Sequence, residues 1–357
     1  MRRLIIVLVL AAGIAAAVAG VYYARVDERF QGYPGADQFV EIAPGTGSRA
    51  IGHALVESGV VRDELTFRMA TYLTGTEREL KAGEYRFVGA MSAKEVARKL
   101  ARGDIFLRPI TFPEGLTLIE MSRVYESKGL GTAKAFLDAA RDTTPIRTLD
   151  PLAKDLEGYL FPETYNVPRK MDAAALVQRM ADRFLAVFDQ PMRDAAAARG
   201  LKLREAVTLA SLVEKESARE DERAVVSAVY ANRLRVGMPL QCDPTVIFAL
   251  EKAGKYDGNL TKKNLQYDSP YNTYRHPGLP PGPIAAPGRS SLKAALEPAE
   301  VDYLYFVSKN DGTHVFATTL AEHNKNVKEW QVDYFKKGPG AKEQGPGTRD
   351  QGPGHKK

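Results

Sequence analysis

Residues 204–238 read REAVTLASLVEKESAREDERAVVSAVYANRLRVGM, two helical patterns joined at a polar break. Counting about 100° per residue from Val213, Ala206 falls near +20°, Leu209 near −40° and Ala210 near +60°, which defines an apolar face. Glu216 falls at about −60°, inside that face, whereas Glu214 lies at about +100° on its margin. The two glutamates are therefore not equivalent. A carboxylate on the apolar face loses water, and lost hydration raises its pKa towards the range where it can act as a general acid near neutral pH. The competing reading is a structural pair between Glu216 and Arg219 or Arg223.

Downstream, Ala228 and Val229 begin an apolar stripe that Asn232 continues, so a carboxamide faces inward where an aliphatic residue is expected. Gly237 ends that helix. In MPLQCDPTVIFAL the pair Asp243-Pro244 is predicted as a helix N-cap followed by proline at the first helical position, which suffices to explain Asp243. Gln241 has no such structural reason. The loop SPYNTYRHPGLPPGPIAAPG (269–288) is stiffened by six prolines and carries Tyr271, Asn272, Thr273 and Tyr274. Hydroxyls, amides and aromatic rings on a rigid loop suit a carbohydrate cleft.

Upstream, a long helical stretch is expected from about Ala173 to Ala198, preceded by the aromatic, proline-bearing EGYLFPETY (157–165). From Phe39 the pattern is a strand, a Pro/Gly turn and two helices. KAGEYRF (81–87) then reads as a strand, and MSAKEVARKLARG (91–103) as a helix started by Ser92 and stopped by Gly103. IAPGTGSRAIGHALVESG (from Ile42) aligns with TFPEGLTLIEMSRVYESKG (from Thr111) at an offset of 69, matching Pro44 with Pro113, Ser48 with Thr117 and Phe67 with Phe136. Duplication explains this register better than convergence.

At the start, Met-Arg-Arg precedes 21 uncharged residues, Leu4–Ala24. As a helix these span roughly 30 Å, a bilayer's hydrocarbon core. The apolar run continues past the small residues Ala17–Gly20, which favours a retained anchor over a cleaved signal peptide. Two arginines before it and cancelling charges behind it place the N-terminus in the cytoplasm and the rest outside the inner (cytoplasmic) membrane, in the periplasm or its extracytoplasmic equivalent.

The chain has 357 residues with 50 Lys+Arg and 44 Asp+Glu, so 50 − 44 gives +6. Arg2 and Arg3 supply two of these charges and the last twenty residues two more, leaving +2 on the body. Nucleic acid is not an expected partner of so neutral a body. One cysteine excludes an internal disulfide, and five scattered histidines without a ligand-spaced pair call for no metal; no cofactor is expected.

These motifs, with SLKAALEPA (from Ser291), YLYFV (from Tyr303) and AEHNKNV (from Ala321), resemble the YceG-like family of membrane-anchored endolytic murein transglycosylases as far as about Trp330. Glu163 stands where the family usually has Asp, and Cys242 where it usually has a small hydroxyl residue. The resemblance implies that Glu216 is the catalytic acid/base and that Asn232, Gln241, Asp243, Tyr271, Asn272, Thr273, Glu163, Tyr165 and Asn324 bind substrate. It implies peptidoglycan glycan strands as substrate, peptidoglycan synthases as partners and a LysM-like module after the anchor. The expected fold is α+β: a transmembrane helix (1–25), a linker (26–38), a small LysM-like α+β module (39–110), a second repeat or connector (111–150), a larger mixed α+β catalytic domain (151–336) and a disordered Gly/Pro-rich tail (337–357). A hydrolytic muramidase and a non-catalytic glycan-binding scaffold are the alternatives.

Overall fold

In the computed structural model, which describes residues 2–217 and 219–334, the uncharged N-terminal run forms a single helix, α1 (Arg2–Arg25). Its segment Ile5–Arg25 is long and apolar enough to cross a membrane, and none of it is buried in protein. The tail 337–357 lies outside the described residues.

The chain forms two units, residues 1–110 with 164–172 and residues 111–163 with 173–357. In the first, β1 (Arg29–Phe30) and β2 (Asp37–Ile42) precede α2 (Ser48–Glu57) and α3 (Glu64–Thr74). Then come β3 (Gly83–Val88), β4 (Met91–Ser92), α4 (Ala93–Arg102) and β5 (Arg108–Thr111). Antiparallel β2 and β3 run in register from Asp37 opposite Val88 to Ile42 opposite Gly83, and bury Val40, Ile42, Tyr85 and Phe87. Ile51, Leu55, Phe67, Val96 and Leu100 complete that core from the helices. Helix α4 starts with a capping box between Ser92 and Glu95 and stops at Gly103, whose φ of 76° disfavours any side chain.

Residues 26–38 are more than a linker. Val26 and Tyr33 belong to the core, β1 pairs with β4, and the Tyr33 hydroxyl donates to the Gly89 carbonyl at 2.8 Å. The unit also reclaims a distant strand, β6 (Thr164–Val167), which pairs with β5. Buried Glu84 faces Arg108 and Arg169, and Lys170 donates to Glu41 at 2.6 Å.

The repeat holds in element order: Pro/Gly turn, helix, glycine and helix recur as α5 (Leu118–Ser127) and α6 (Ala133–Ala139). Gly45 and Gly115 have φ of 79° and 78°, and Gly59 and Gly129 have 68° and 67°. The register needs correcting. Buried Ile51 and Leu55 correspond to Met121 and Tyr125, an offset of 70, whereas Phe67 and Phe136 keep 69. The second copy therefore gains a residue in the first turn, where Glu114 lies between Pro113 and Gly115, and loses one between Gly129 and Phe136.

The second unit continues with α7 (Ala173–Val187), α8 (Gln190–Ala198), α9 (Leu203–Glu216), α10 (Glu220–Arg235), α11 (Asp243–Lys252) and α12 (Arg289–Leu296). A hairpin of β7 (Tyr305–Ser308) and β8 (His314–Ala317) and then α13 (Leu320–Val327) follow. The expected helix over 173–198 is broken, because Asp189 caps a new helix by accepting from Met192 N at 3.2 Å with Pro191 in its first turn. Helix α9 is the central element, buried on all sides from Ala206 to Val213 and packed by α12, α10, α11 and α8.

Gly158 lets the Pro-rich loop approach α9. A Cβ there would stand 2.4 Å from Pro283 Cβ and 3.2 Å from Val207 Cγ1, and its φ is 79°. Gly158→Ala is therefore expected to destabilise the protein by about 2 kcal/mol or more, since it adds backbone strain to a clash with a ring that cannot swing away. A chemical-denaturation midpoint equal to wild type would contradict this packing.

Candidate functional site

Helix α9 ends at Glu216 because Ser217 turns extended, with φ −120° and ψ 117°, and buries its hydroxyl on the Arg219 carbonyl at 3.0 Å. The last turn carries both glutamates, and their partners separate them. Glu214 accepts from Arg223 at 3.3 Å and from the Gly288 backbone N–H at 2.9 Å, with only 6% of its side chain exposed. The expected contrast between margin and apolar face is thus too sharp. Glu214 is deeply placed as well, but a guanidinium and the start of α12 satisfy it.

Glu216 has no cationic partner among the described residues. Arg219 pairs with Asp221, and Arg223 with Glu214 and Glu114. Its Oε1 accepts from the Tyr230 hydroxyl at 3.0 Å, and the nearby Cys242 thiol also favours the carboxylate. Burial pushes its pKa up, opposed by these two donors; Asp243 pushes it further up and His314 pulls it down. Burial likewise raises Tyr230 and Cys242 well above their ordinary values, so both stay protonated donors and the thiol is no nucleophile.

The surrounding wall is built from α10, the start of α11 and the β7–β8 hairpin. Asn232 spends its amide on the Val301 and Tyr303 carbonyls, at 2.7 and 3.1 Å, while its Oδ1 accepts from Arg235. Arg233, 7% exposed, donates to the carbonyls of Leu304 and Leu240, each at 2.6 Å. His314 meets Glu222 twice: its ring Nδ1 lies 2.7 Å from Oε2, and its backbone N–H donates to Oε1 at 3.0 Å.

The start of α11 differs from expectation. Cys242, not Asp243, occupies the N-cap position, and Asp243 is the first helical residue. Its carboxylate accepts instead from the Tyr274 hydroxyl at 2.6 Å, so the helix start does not account for it. Gln241 is exposed and adopts φ 51°, a left-handed conformation that costs a side-chain-bearing residue about 1 kcal/mol or more.

The Pro-rich loop contributes in two directions. Thr273 is buried, and its Oγ1 accepts from Cys242 N at 3.0 Å, which ties the loop to the wall beside Glu216. Asn272 is fully buried and donates to the Leu265 and Tyr267 carbonyls, shaping the loop itself. Tyr271 packs on Phe248 and lines a separate cavity of about 650 Å³ with Glu157, Arg204 and Lys252.

The remaining sequence candidates are not gathered at this point. Glu163 makes a two-pronged pair with Arg183 at 2.8 Å per contact. Tyr165 is buried on β6 in the first unit, and Asn324 is exposed on α13. Tyr230 and His314 are site residues that sequence reasoning missed, whereas Tyr274, expected on the loop, is found holding Asp243. For Tyr230 a signal existed: with Val226, Val229 and Arg233 it falls at helical spacing on one buried stripe of α10, where an aromatic hydroxyl is turned inward.

Comparison with known proteins supplies relatives. Residues 40–329 match the model of the YceG-like family. The endolytic murein transglycosylase of Bacillus subtilis (strain 168) is 33% identical over 305 residues, covering 80% of this chain and 82% of that protein. The protein of the same name from Streptococcus pneumoniae serotype 2 is 32% identical over 324 residues, covering 81% of this chain but 58% of its own length. A crystal structure of a YceG-like protein from Listeria monocytogenes has 30% identity and a TM-score of 0.55, and the match covers 81% of this chain and 98% of that one. With this span of sequence and backbone in agreement, the chain belongs to the YceG-like family.

Proposed function

We propose that this protein is an endolytic peptidoglycan lytic transglycosylase that cuts between N-acetylmuramic acid and N-acetylglucosamine in nascent strands. The observation that carries the reading is Glu216: a carboxyl at a helix end, raised in pKa by burial and held by neutral donors instead of a cation. Such a group is protonated when a glycosidic oxygen needs a proton and basic once it has given it up. The names of the relatives supply the substrate class.

Glu216 protonates the bridging oxygen as the C1–O bond breaks and the electron pair leaves with the N-acetylglucosamine hydroxyl. The carboxylate then takes the proton from the 6-hydroxyl of the same muramic acid, whose oxygen bonds to C1 and closes a 1,6-anhydro ring. Protons balance, and no water enters. A glycosidase that uses water normally places two carboxylates across the bond; here Glu214 is spent on Arg223 and Gly288. Gln241 and Asp243, both exposed and flanking Cys242, are the substrate-binding candidates this reading keeps nearest the acid, whereas buried Thr273 would shape the wall. Asn232, Asn272, Tyr271, Glu163, Tyr165 and Asn324 would act further along the strand or by shaping the wall.

In this reading α1 anchors the protein with its N-terminus in the cytoplasm, residues 39–110 form the LysM-like glycan-binding module, and synthases are the partners. A reporter fused after residue 357 is then active only outside the cytoplasm, and the protein stays with membranes through a high-salt wash. Release of mature protein into the soluble fraction would overturn the anchor. Mass analysis of peptidoglycan digests decides the chemistry. Anhydro ends support it, reducing ends make the protein a muramidase, and unchanged glycan makes it a binding scaffold.

A further inference from the structure

The carboxyl of Glu216 is held by groups that cannot balance its charge, and one of them is a strong donor. The Tyr230 hydroxyl reaches Oε1 at 3.0 Å from the buried face of α10. Its ring is fixed, 1% exposed and edge-on to Phe306 at 6.1 Å and 84°. The Cys242 thiol, at the N-cap of α11, also favours the carboxylate, but S–H is a weak donor. The backbone of Cys242 is locked in turn, its N–H donating to Thr273 Oγ1 at 3.0 Å behind the strained Gln241.

We propose that Tyr230 is the positioning residue for Glu216, its hydroxyl fixing one carboxyl oxygen and supplying the strong hydrogen bond that a cysteine at 242 gives only weakly. Tyr230 is too buried to touch a glycan, so it acts through Glu216 alone. The rate consequences rest on the reading of Glu216 as the acid; the orientation of its carboxyl does not.

The remaining groups around Glu216 give the sign of the pH response. From the start of α11, Asp243 opposes ionisation; from β8, His314 favours it while paired to Glu222 of α10. Tyr274 of the Pro-rich loop and Arg233 of α10 also feel the Glu216 charge. Tyr230→Phe leaves all of these in place and removes a donor that favours the carboxylate. The Glu216 titration therefore moves to higher pH, and with it the descending limb of the activity profile.

The experiment uses the full chain in detergent with polymeric peptidoglycan, scoring anhydro ends by mass. Tyr230→Phe is expected to lower kcat about 10- to 100-fold, the weight of a hydrogen bond to a charged group, with KM nearly unchanged. Adding Cys242→Ser should restore most of the rate and return the limb, because a hydroxyl at 242 replaces the lost donor. A role in packing alone predicts a lower melting point with an unmoved limb and no rescue, and that result overturns the proposal. If wild type yields no anhydro ends, the functional reading has failed and the proposal is judged by carbon-13 titration of Glu216. There, unchanged titration in Tyr230→Phe overturns it. Should Tyr230→Phe fail to fold, Cys242→Ser alone must move that titration to lower pH, and no movement is again fatal.

Discussion

Glu216→Gln is expected to abolish release of anhydro ends, by at least the ~10²- to 10⁴-fold that general acid–base catalysis supplies, while the fold and glycan binding persist. Glutamine keeps the size of the side chain and can still accept from Tyr230, but it cannot cycle a proton. Glu214→Gln makes the contrast sharp. That side chain bridges Arg223 and the Gly288 N–H, so its loss leaves a guanidinium that is 12% exposed with a weakened partner. The expected cost is about 1–3 kcal/mol of stability with far less change in rate at temperatures where the protein stays folded. Equal damage to turnover from the two substitutions would remove Glu216 from the acid's place.

The second large effect concerns stability against pH. Glu157 is buried at the start of α5, where its carboxyl accepts from the Leu118 N–H at 3.1 and 3.2 Å, and no cation pairs with it among the described residues. Burial pushes its pKa up to about 8 from an ordinary 4.5. Between those values the folded state holds a proton that the unfolded chain has lost. Its contribution is fully present below about pH 4.5 and is lost as pH rises through about 8. The gap of 8 − 4.5 = 3.5, at about 1.4 kcal/mol per pH unit, caps the loss near 5 kcal/mol. Glu157→Gln should therefore match wild type at pH 5 and exceed it by a few kcal/mol at pH 9. Denaturation curves that keep the wild-type pH slope in this variant would contradict the account.

Local signals predicted what local physics controls. Ser92, Glu95 and Gly103 bracket α4, because caps are written within a turn of the helix they end. The same kind of signal, Asp189 followed by Pro191, lies inside a long apolar pattern, and there the cap outweighs periodicity. At Asp243 the proline was read correctly as a helix start, but the cap fell one residue earlier and the carboxylate went to Tyr274. The helical wheel singles out Glu216, yet α9 is two-faced only in its last turn, since it is buried on every side from Ala206 to Val213. Which carboxylate finds a cation depends on Arg223 and Gly288, groups that only the folded chain brings to Glu214. His314 likewise meets Glu222 only across the fold, whereas Tyr230 lies on a stripe that helical spacing alone reveals.

The pairing of β5 with β6 also bears on how the protein comes into being. The first unit consists of residues 1–110 and 164–172, so its last strand is made after the whole Thr111–Glu163 segment that belongs to the other unit. A growing chain that has reached Ile110 still lacks the partner of β5, the arginine at 169 that faces Glu84 and the lysine at 170 that donates to Glu41. Its N-terminal portion must wait, with an unpaired strand edge and a buried glutamate short of one cation, until residue 172 has been synthesised. Neither unit is one continuous stretch of chain, so an exchange of modules between such proteins has to carry residues 164–172 along with residues 1–110.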